Sequence, residues 1–501
     1  MRIAARMART TAALSMIALL AAHIGSPQVF FAGSAGAYKV DVIVRPPQVV
    51  PGIAEVYVKL ADTTVRDVIV RPVYWRAGSK GAPRGDAAQP VKGQPGAFVG
   101  QLWLMASGAY SVHVTVNGSA GGGTVVVPVA SVATGQLGLS LGLKLLLGAL
   151  GALLVAGVLT AVHAAVGESQ VAPGEPVSDD VQRRARRAVI VALPLMLLVV
   201  LGAARWWTAE AAAYRRTLYR PIRTTTRVSD SAGIPRLTLT IADPAWRRAS
   251  VTAIMPDHGK MSHMFIARVD SPFVFAHLHP DMPTSDAWTT PLPPLIAGRY
   301  RVFNDIVHES GFEQTLVDSF TLATPLSGLG IAALSADEAW SNDVRHSAGQ
   351  FLAVSGHDGN FFVHWAGRKQ VVANEPGVLR FVISDDNGKP VVVQPYLGMQ
   401  GHAVVMRDDG KVFVHLHPSG TSSMASPLAF AMRDRGDTTS DGRLRLDTAP
   451  MTGMATSAPL HEISFPYAFP SAGRYRVWVQ IRSDGKVHTS PFDVTVLHSL
   501  R

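Results

Sequence analysis

Cysteine is missing from all 501 residues. That excludes disulfides, thiolate metal sites and cysteine nucleophiles together. Charge is sparse at 16% of residues, and acidic residues are outnumbered 36 to 46, for a formal net charge of +10. The basic excess is dispersed or sits beside apolar runs, with no aromatic-basic binding motif, so no nucleic-acid partner is expected. A P-loop, a dinucleotide fingerprint and a Gly-x-Ser-x-Gly elbow are absent as well, and nothing in the sequence asks for an enzyme. The length suggests three or four domains.

What is present is a segment that occurs twice. GKMSHMFIARVDSPFVFAHLHP runs from Gly259 to Pro280, and LGMQGHAVVMRDDGKVFVHLHP from Leu397 to Pro418. Each holds a Met, a His two or three residues later, a run with the pattern of a β-hairpin, and His-Leu-His-Pro. Each is followed, after a spacer of different length, by Ala-Gly-Arg-Tyr-Arg-Val, at Ala297–Val302 and Ala472–Val477. A tandem match of this kind marks a duplicated module.

Two apolar runs, 137–166 and 188–207, are long enough to cross a hydrocarbon core of about 30 Å as helices. The pair Trp206-Trp207 at the end of the second suits the interface. The loop 167–187 between them carries Arg183, Arg184, Arg186 and Arg187, yet Arg215, Arg216, Arg220, Arg223 and Arg227 follow the second run. The charge rule therefore leaves orientation open. The first residues supply it: Arg2, Arg6 and Arg9 precede a short apolar stretch and the small residues Ala35-Gly36-Ala37, the layout of a secretory signal over 1–37 with Tyr38 as the mature N-terminus. The alternative reading is an uncleaved anchor helix, and a cut after Ala22 would expose His23. These signals place the chain in the inner (cytoplasmic) membrane, with 167–187 cytoplasmic and the remainder facing the periplasm or the cell exterior. Neither span carries a relay of ionisable residues, so the hairpin is expected to be an anchor.

The remaining regions are mainly β, and the expected fold is three immunoglobulin-like β-sandwich domains with a two-helix transmembrane hairpin between the first and second. Period-2 alternation rich in β-branched residues, broken by Gly, Pro, Asn and Asp, runs through 38–130. The same pattern defines a second domain over 236–322 with the first HLHP copy and a third over 377–497 with the second copy. The span 323–376 reads as a connector, either a linker or an extra sheet edge, with a hairpin around His357–Asn360 and Phe361–Trp365. Gly-x-Tyr opens a late strand in all three, at Tyr110, Tyr300 and Tyr475, the position from which a tyrosine ties a strand to a neighbouring loop.

On a strand, residues two apart share a face. His277 and His279 therefore project together with Leu278 opposite, and His415 and His417 do so around Leu416. His263 and His402 precede them on the other strand of each hairpin, where antiparallel pairing brings them across. Met261 and Met399 sit just ahead, with Asp257 and His258 nearby in the first copy. Met424, Met451, Met454, His461 and His488 are further candidates in the second. Two metal sites are expected: Met261, His263, His277 and His279, and Met399, His402, His415 and His417. Imidazole with thioether suits copper, and an all-imidazole site also admits zinc. The competing reading makes these histidines hydrogen-bonding strand ends and the methionines core fillers.

The segments MPDHGKMSHMF with FAHLHP, PYLGMQGHAVV with VFVHLHP, and the closing GRYRVWVQ resemble periplasmic β-sandwich modules of the YtkA-like and FixH-like type, loosely similar to copper-resistance CopC-like domains. The resemblance covers the C-terminal half, and the first domain only as a generic sandwich. It implies an extracytoplasmic, membrane-tethered role in metal handling or oxidase assembly, with a copper protein or respiratory oxidase as partner. CopC-like sites use an N-terminal His, which Tyr38 does not supply, so that ligand is not carried over. The alternative function is a non-metal envelope scaffold built from sandwich modules.

Overall fold

The computed structural model describes residues 28–499, apart from 170, 173, 245, 247–252, 272–273, 327, 329–330, 332–333, 343–352, 355–360, 369, 386 and 447–460. The chain is mainly β, with six sheets in three two-sheet sandwiches. Sheets of five and four strands form the first module, four and six the second, and four and five the third. Each sandwich has its own core. Val42, Val56, Val70 and Val112 belong to the first, Leu239, Ile266, Leu278 and Trp288 to the second, and Phe381, Val405, Leu416 and Phe465 to the third. The alternation read from the sequence sends these residues inward at every second position.

The three late-strand tyrosines sit in equivalent places. Tyr300 Oη donates to the carbonyl of Ile296 at 2.6 Å and Tyr475 Oη to that of Ser471 at 2.8 Å. Tyr110 Oη accepts from the amide of Ala106 at 3.2 Å. All three reach back four residues, so the structural role expected of them is the one they play.

Two helices form a separate unit spanning Ala133–Tyr219. Helix α1 covers Leu141–Gly167 and α2 covers Asp179–Thr217. Their apolar stretches expose leucine after leucine, and 27 residues at about 1.5 Å each exceed a bilayer core of about 30 Å. The described residues before and after this hairpin belong to a single compact unit.

Two boundaries differ from the sequence reading. The signal segment 1–37 falls partly on residues 1–27, outside those described, but its end does not. Val29–Ala35 is a strand paired along its whole length with Tyr38–Arg45. Phe30 is 2% exposed and belongs to the core of the third module. Its carbonyl accepts from the amide of Thr421 at 3.0 Å, and the amide of Ala32 donates to Ser419 at 2.8 Å. A cut after Ala37 would strip this strand, so small residues there serve a tight turn, with Gly36 at φ 60°. The second module begins earlier than 236, with a strand at Thr224–Ser231. Of the two readings of the connector 323–376, a linker or an extra sheet edge, the structure has the second: Ala339–Asn342 pairs with Val274–Leu278 at a sheet edge, and Phe361–Trp365 with the strand Gly377–Asp385. The hairpin expected around His357–Asn360 and Phe361–Trp365 is present, Ala353–Val354 pairing with Phe361–Trp365, while its turn, 355–360, lies outside the described residues.

Candidate metal centre

The duplicated strands form equivalent β-hairpins. In the second module His263–Arg268 pairs with Val274–Leu278, and in the third His402–Arg407 pairs with Phe413–Leu416. Alternate positions, Met264, Ile266, Ala276 and Leu278, enter the second core, and Ala403, Val405, Val414 and Leu416 enter the third. The opposite face of each hairpin would meet water in an isolated sandwich. Here the two faces meet each other. Phe303 stacks on Phe413 with ring centroids 4.0 Å apart, and Phe275 on Trp478 at 4.6 Å. These two contacts exchange under the repeat, because Phe303 corresponds to Trp478 and Phe275 to Phe413. The two modules therefore pack as an internal pseudo-dimer with a self-complementary interface.

Further along the same faces the aromatics give way to histidines. His258, His263, His277, His279, His402, His415 and His417 converge, with neighbouring rings 4.4–6.4 Å apart. Within this cluster two groups each bring three ring nitrogens within 4.8 Å of one another: His263, His277 and His279, and His258, His402 and His417. The first group is the trio expected from the sequence. The second differs, since His258 from the other module joins His402 and His417, while His415 belongs to neither trio.

The repeat explains the exchange. Asp257 and Lys260 close a two-residue turn through both backbone bonds, as do Tyr396 and Met399. The central residues are His258-Gly259 at φ 52° and 77° and Leu397-Gly398 at φ 50° and 78°, the positive-φ pair of a type I′ turn. So His258 occupies the position that Leu397 holds in the other copy. Met261 and Met399, which look alike in the sequence, are out of register by one residue here. Met261 packs against the second core, and Met399 is buried at the end of its turn. Met424 Sδ receives a hydrogen bond from Ser419 Oγ at 3.7 Å, His488 is held by the carbonyl of Ser483, and His461 is exposed. Met451 and Met454 lie outside the described residues.

Several ring nitrogens are oriented from behind. His277 Nδ1 meets Gln480 Oε1 at 2.7 Å, and Tyr396 Oη lies 3.3 Å away. His417 Nδ1 donates to the carbonyl of Ser422 at 3.0 Å, which directs Nε2 into the cluster. His415 Nδ1 is 3.8 Å from Asp305, and His279 Nδ1 is 3.4 Å from Glu338. Glu338 comes from the segment expected to be a connector. The Gln480, Tyr396 and Ser422 contacts are hydrogen bonds that fix their rings, and that of His417 leaves its other nitrogen free to bind, whereas the two carboxylates lie beside His415 and His279 without a hydrogen bond to the rings.

What the inner nitrogens face is the informative part. His263 Nδ1 is 3.1 Å from His277 Nε2. Nε2 of His258, His415 and His417 and both nitrogens of His279 and His402 have no hydrogen-bond partner among the described residues. A buried polar atom left unpaired costs about 1–3 kcal/mol, and native interiors rarely tolerate several together. Burial, reinforced by the neighbouring imidazoles, pushes His263, His277, His402 and His415 well below the ordinary histidine range. His417 falls to about 4 and His279 to about 3, again chiefly by desolvation. Desolvation therefore favours the neutral imidazole, the form that binds a metal ion.

The insertion in the third module closes one side. Its helix α3, Ala425–Arg435, has its N-terminus on the second module: Asp257 Oδ1 accepts from the amide of Ala425 at 2.9 Å, and Glu313 Oε1 from the amide and hydroxyl of Ser423. Carboxylates suit that end of a helix. Asp257 Oδ2 also lies 3.8 Å from His258 and 4.0 Å from His263, so one side chain touches both the helix and the cluster.

Comparisons with known proteins add little function. Residues 355–498 match the family model described as "Domain of unknown function (DUF8832)", which takes in the third module and its three histidines. No curated protein matches. Among solved structures the chain is similar to dimeric latent PorU from Porphyromonas gingivalis, at 9% identity over 94% of this chain and 34% of that one, with a TM-score of 0.15. It is also similar to a putative membrane anchored protein from Corynebacterium diphtheriae, at 8% identity over 95% of this chain and 98% of that one, TM-score 0.15. A third likeness is to the BSP domain of a biofilm associated protein, at 7% identity over 95% and 67%, TM-score 0.13. The chain spans about a third of the first of these, and scores this low carry no argument.

Proposed function

We propose that this chain is a membrane-anchored extracytoplasmic protein that binds a transition metal ion, copper foremost and zinc second, in the histidine cluster between its second and third modules. The carrying observation is the convergence of seven histidines, five of them with ring nitrogens that have no hydrogen-bond partner among the described residues. Neutral imidazoles at this density suit a borderline divalent ion, and copper stands highest in affinity for such ligands.

The helical hairpin supports a tether, and the two flanks belonging to one compact unit support a single exposed metal-handling unit. The resemblance to periplasmic YtkA-like and FixH-like modules supports the inner membrane, a periplasmic face, and a role in copper resistance, delivery or oxidase assembly. Deep burial supports a site that holds its ion closely and releases it when a partner separates the modules.

The test is metal content and competition binding with Cu(I), Cu(II) and Zn(II) on the full chain in detergent, beside a His279→Asn, His402→Asn variant. Copper retained by the parent and weakened in a variant with an unchanged melting profile supports the reading. A parent that binds none of these ions refutes it and leaves the scaffold of three sandwiches.

A further inference from the structure

The sequence offers one metal site per repeat, but the structure distributes the ligands otherwise. One trio, His263, His277 and His279, is wholly within the second module, and the other takes His258 from the second and His402 and His417 from the third. We infer that the cluster is a dinuclear centre, two metal ions held side by side at the module interface, with the second ion bridging the two modules. This rests on the metal-binding reading and specifies its stoichiometry and architecture.

Three observations carry it. Each trio gathers its nitrogens within 4.8 Å, the span over which three ligands reach one ion. The trios abut: rings from opposite groups are 6.0 Å apart for His258 and His263 and 6.4 Å apart for His277 and His402. Among the described residues, unpartnered nitrogens occur in both, at His279 in the first and at His258, His402 and His417 in the second, while His263 and His277 bond to each other, to the Asp257 carbonyl and to Gln480.

His415 lies between the trios. Its ring is 5.2 Å from His263 and His402, 5.7 Å from His277 and 4.4 Å from His417, and its Nε2 is unpartnered. It is placed to complete the coordination of one ion and to separate the two. Three protein imidazoles per ion leave coordination positions open, as in sites that exchange ligands rather than in closed structural ones.

The break in symmetry at one turn is what makes the second trio bridge. The third module presents Leu397 where the second presents His258, at almost the same φ. The variant His258→Leu therefore installs the residue that the duplicate already tolerates in that conformation.

The experiment loads the full chain, freed of metal and then given excess Cu(II), and measures copper per chain by elemental analysis with electron paramagnetic resonance on the same sample. Parent protein is expected to hold two ions per chain and to show a signal broadened by coupling between neighbouring Cu(II) ions. His258→Leu and, separately, His279→Asn are each expected to hold one ion and give a single uncoupled signal. Thermal melting checks that each variant folds. One ion per parent chain, two ions without coupling, or two coupled ions retained by His258→Leu would each overturn the dinuclear assignment while leaving metal binding standing. A parent that binds no metal fails both readings.

Discussion

Replacing His402 by leucine should stabilise the metal-free protein. His402 is 0% exposed, on the strand His402–Arg407, and neither ring nitrogen has a hydrogen-bond partner among the described residues. An unsatisfied buried polar group costs about 1–3 kcal/mol, and leucine fills a similar volume with nothing to satisfy. Allowing for imperfect packing, the apo protein should gain about 1–2 kcal/mol. For a unit of this size each kilocalorie moves the midpoint by about 1 °C, so thermal melting with a chelator present should show a rise of about 1–2 °C. The metal arm runs the opposite way. A ligand at a thousand times its dissociation constant stabilises by about 4 kcal/mol, and that increment should shrink when His402 is gone. Stability gained at the expense of binding is the expected signature of a functional residue. An apo variant less stable than the parent by 1 kcal/mol or more would mean that the ring makes a structural bond, and the argument from its unpartnered nitrogens would fail. An unchanged metal increment would remove His402 from the ligands.

Acid should unfold the apo protein. Six histidines (His263, His277, His279, His402, His415 and His417) have depressed folded values, so the unfolded chain takes up their protons first as pH falls below 6.5. Burial raises Asp305, Glu313 and Glu338 to about 7, so the folded state takes up three protons over the same range. The depressed histidines outnumber the raised carboxyls, so the unfolded state gains ground as pH falls from about 6.5 towards about 4.5. Chemical denaturation across that window checks it, and flat stability would refute the sign. Gly420→Ala should loosen the N-terminal strand: at φ 128° an added Cβ would come within 1.9 Å of the Phe30 carbonyl oxygen. A loss of at least about 2 kcal/mol is expected, read as a lower melting point and earlier proteolytic release of the first strand. If the leader is processed, mass spectrometry of the mature chain should find its N-terminus before Val29, since Val29–Ala35 is built into the fold; a terminus at Tyr38 would contradict that.

The sequence by itself determined what depends on local periodicity. Alternation placed Leu278 and Leu416 in cores and the flanking histidines on the opposite faces, and the repeated Gly-x-Tyr marked the three tyrosine ties. Apolar length marked both helices. Small residues around Gly36 misled, because a processing site and a tight turn ask for the same side chains. The pairing of Ala339–Asn342 with Val274–Leu278 was also hidden, since β-pairing between distant segments has no local signature.

Only the tertiary structure decided how the histidines divide. A repeat read along the chain assigns each copy its own ligands, and Met261 and Met399 look equivalent to the eye. Face-to-face packing of the two hairpins gave His258 to the third module's pair and left His415 between the trios, while Gln480 and Asp305 reached across to the opposite copy. Alternation fixes which face a side chain leaves from. Which face it then meets is set by burial of aromatic surface around Phe303, Phe413, Phe275 and Trp478, a long-range term that no window of sequence contains.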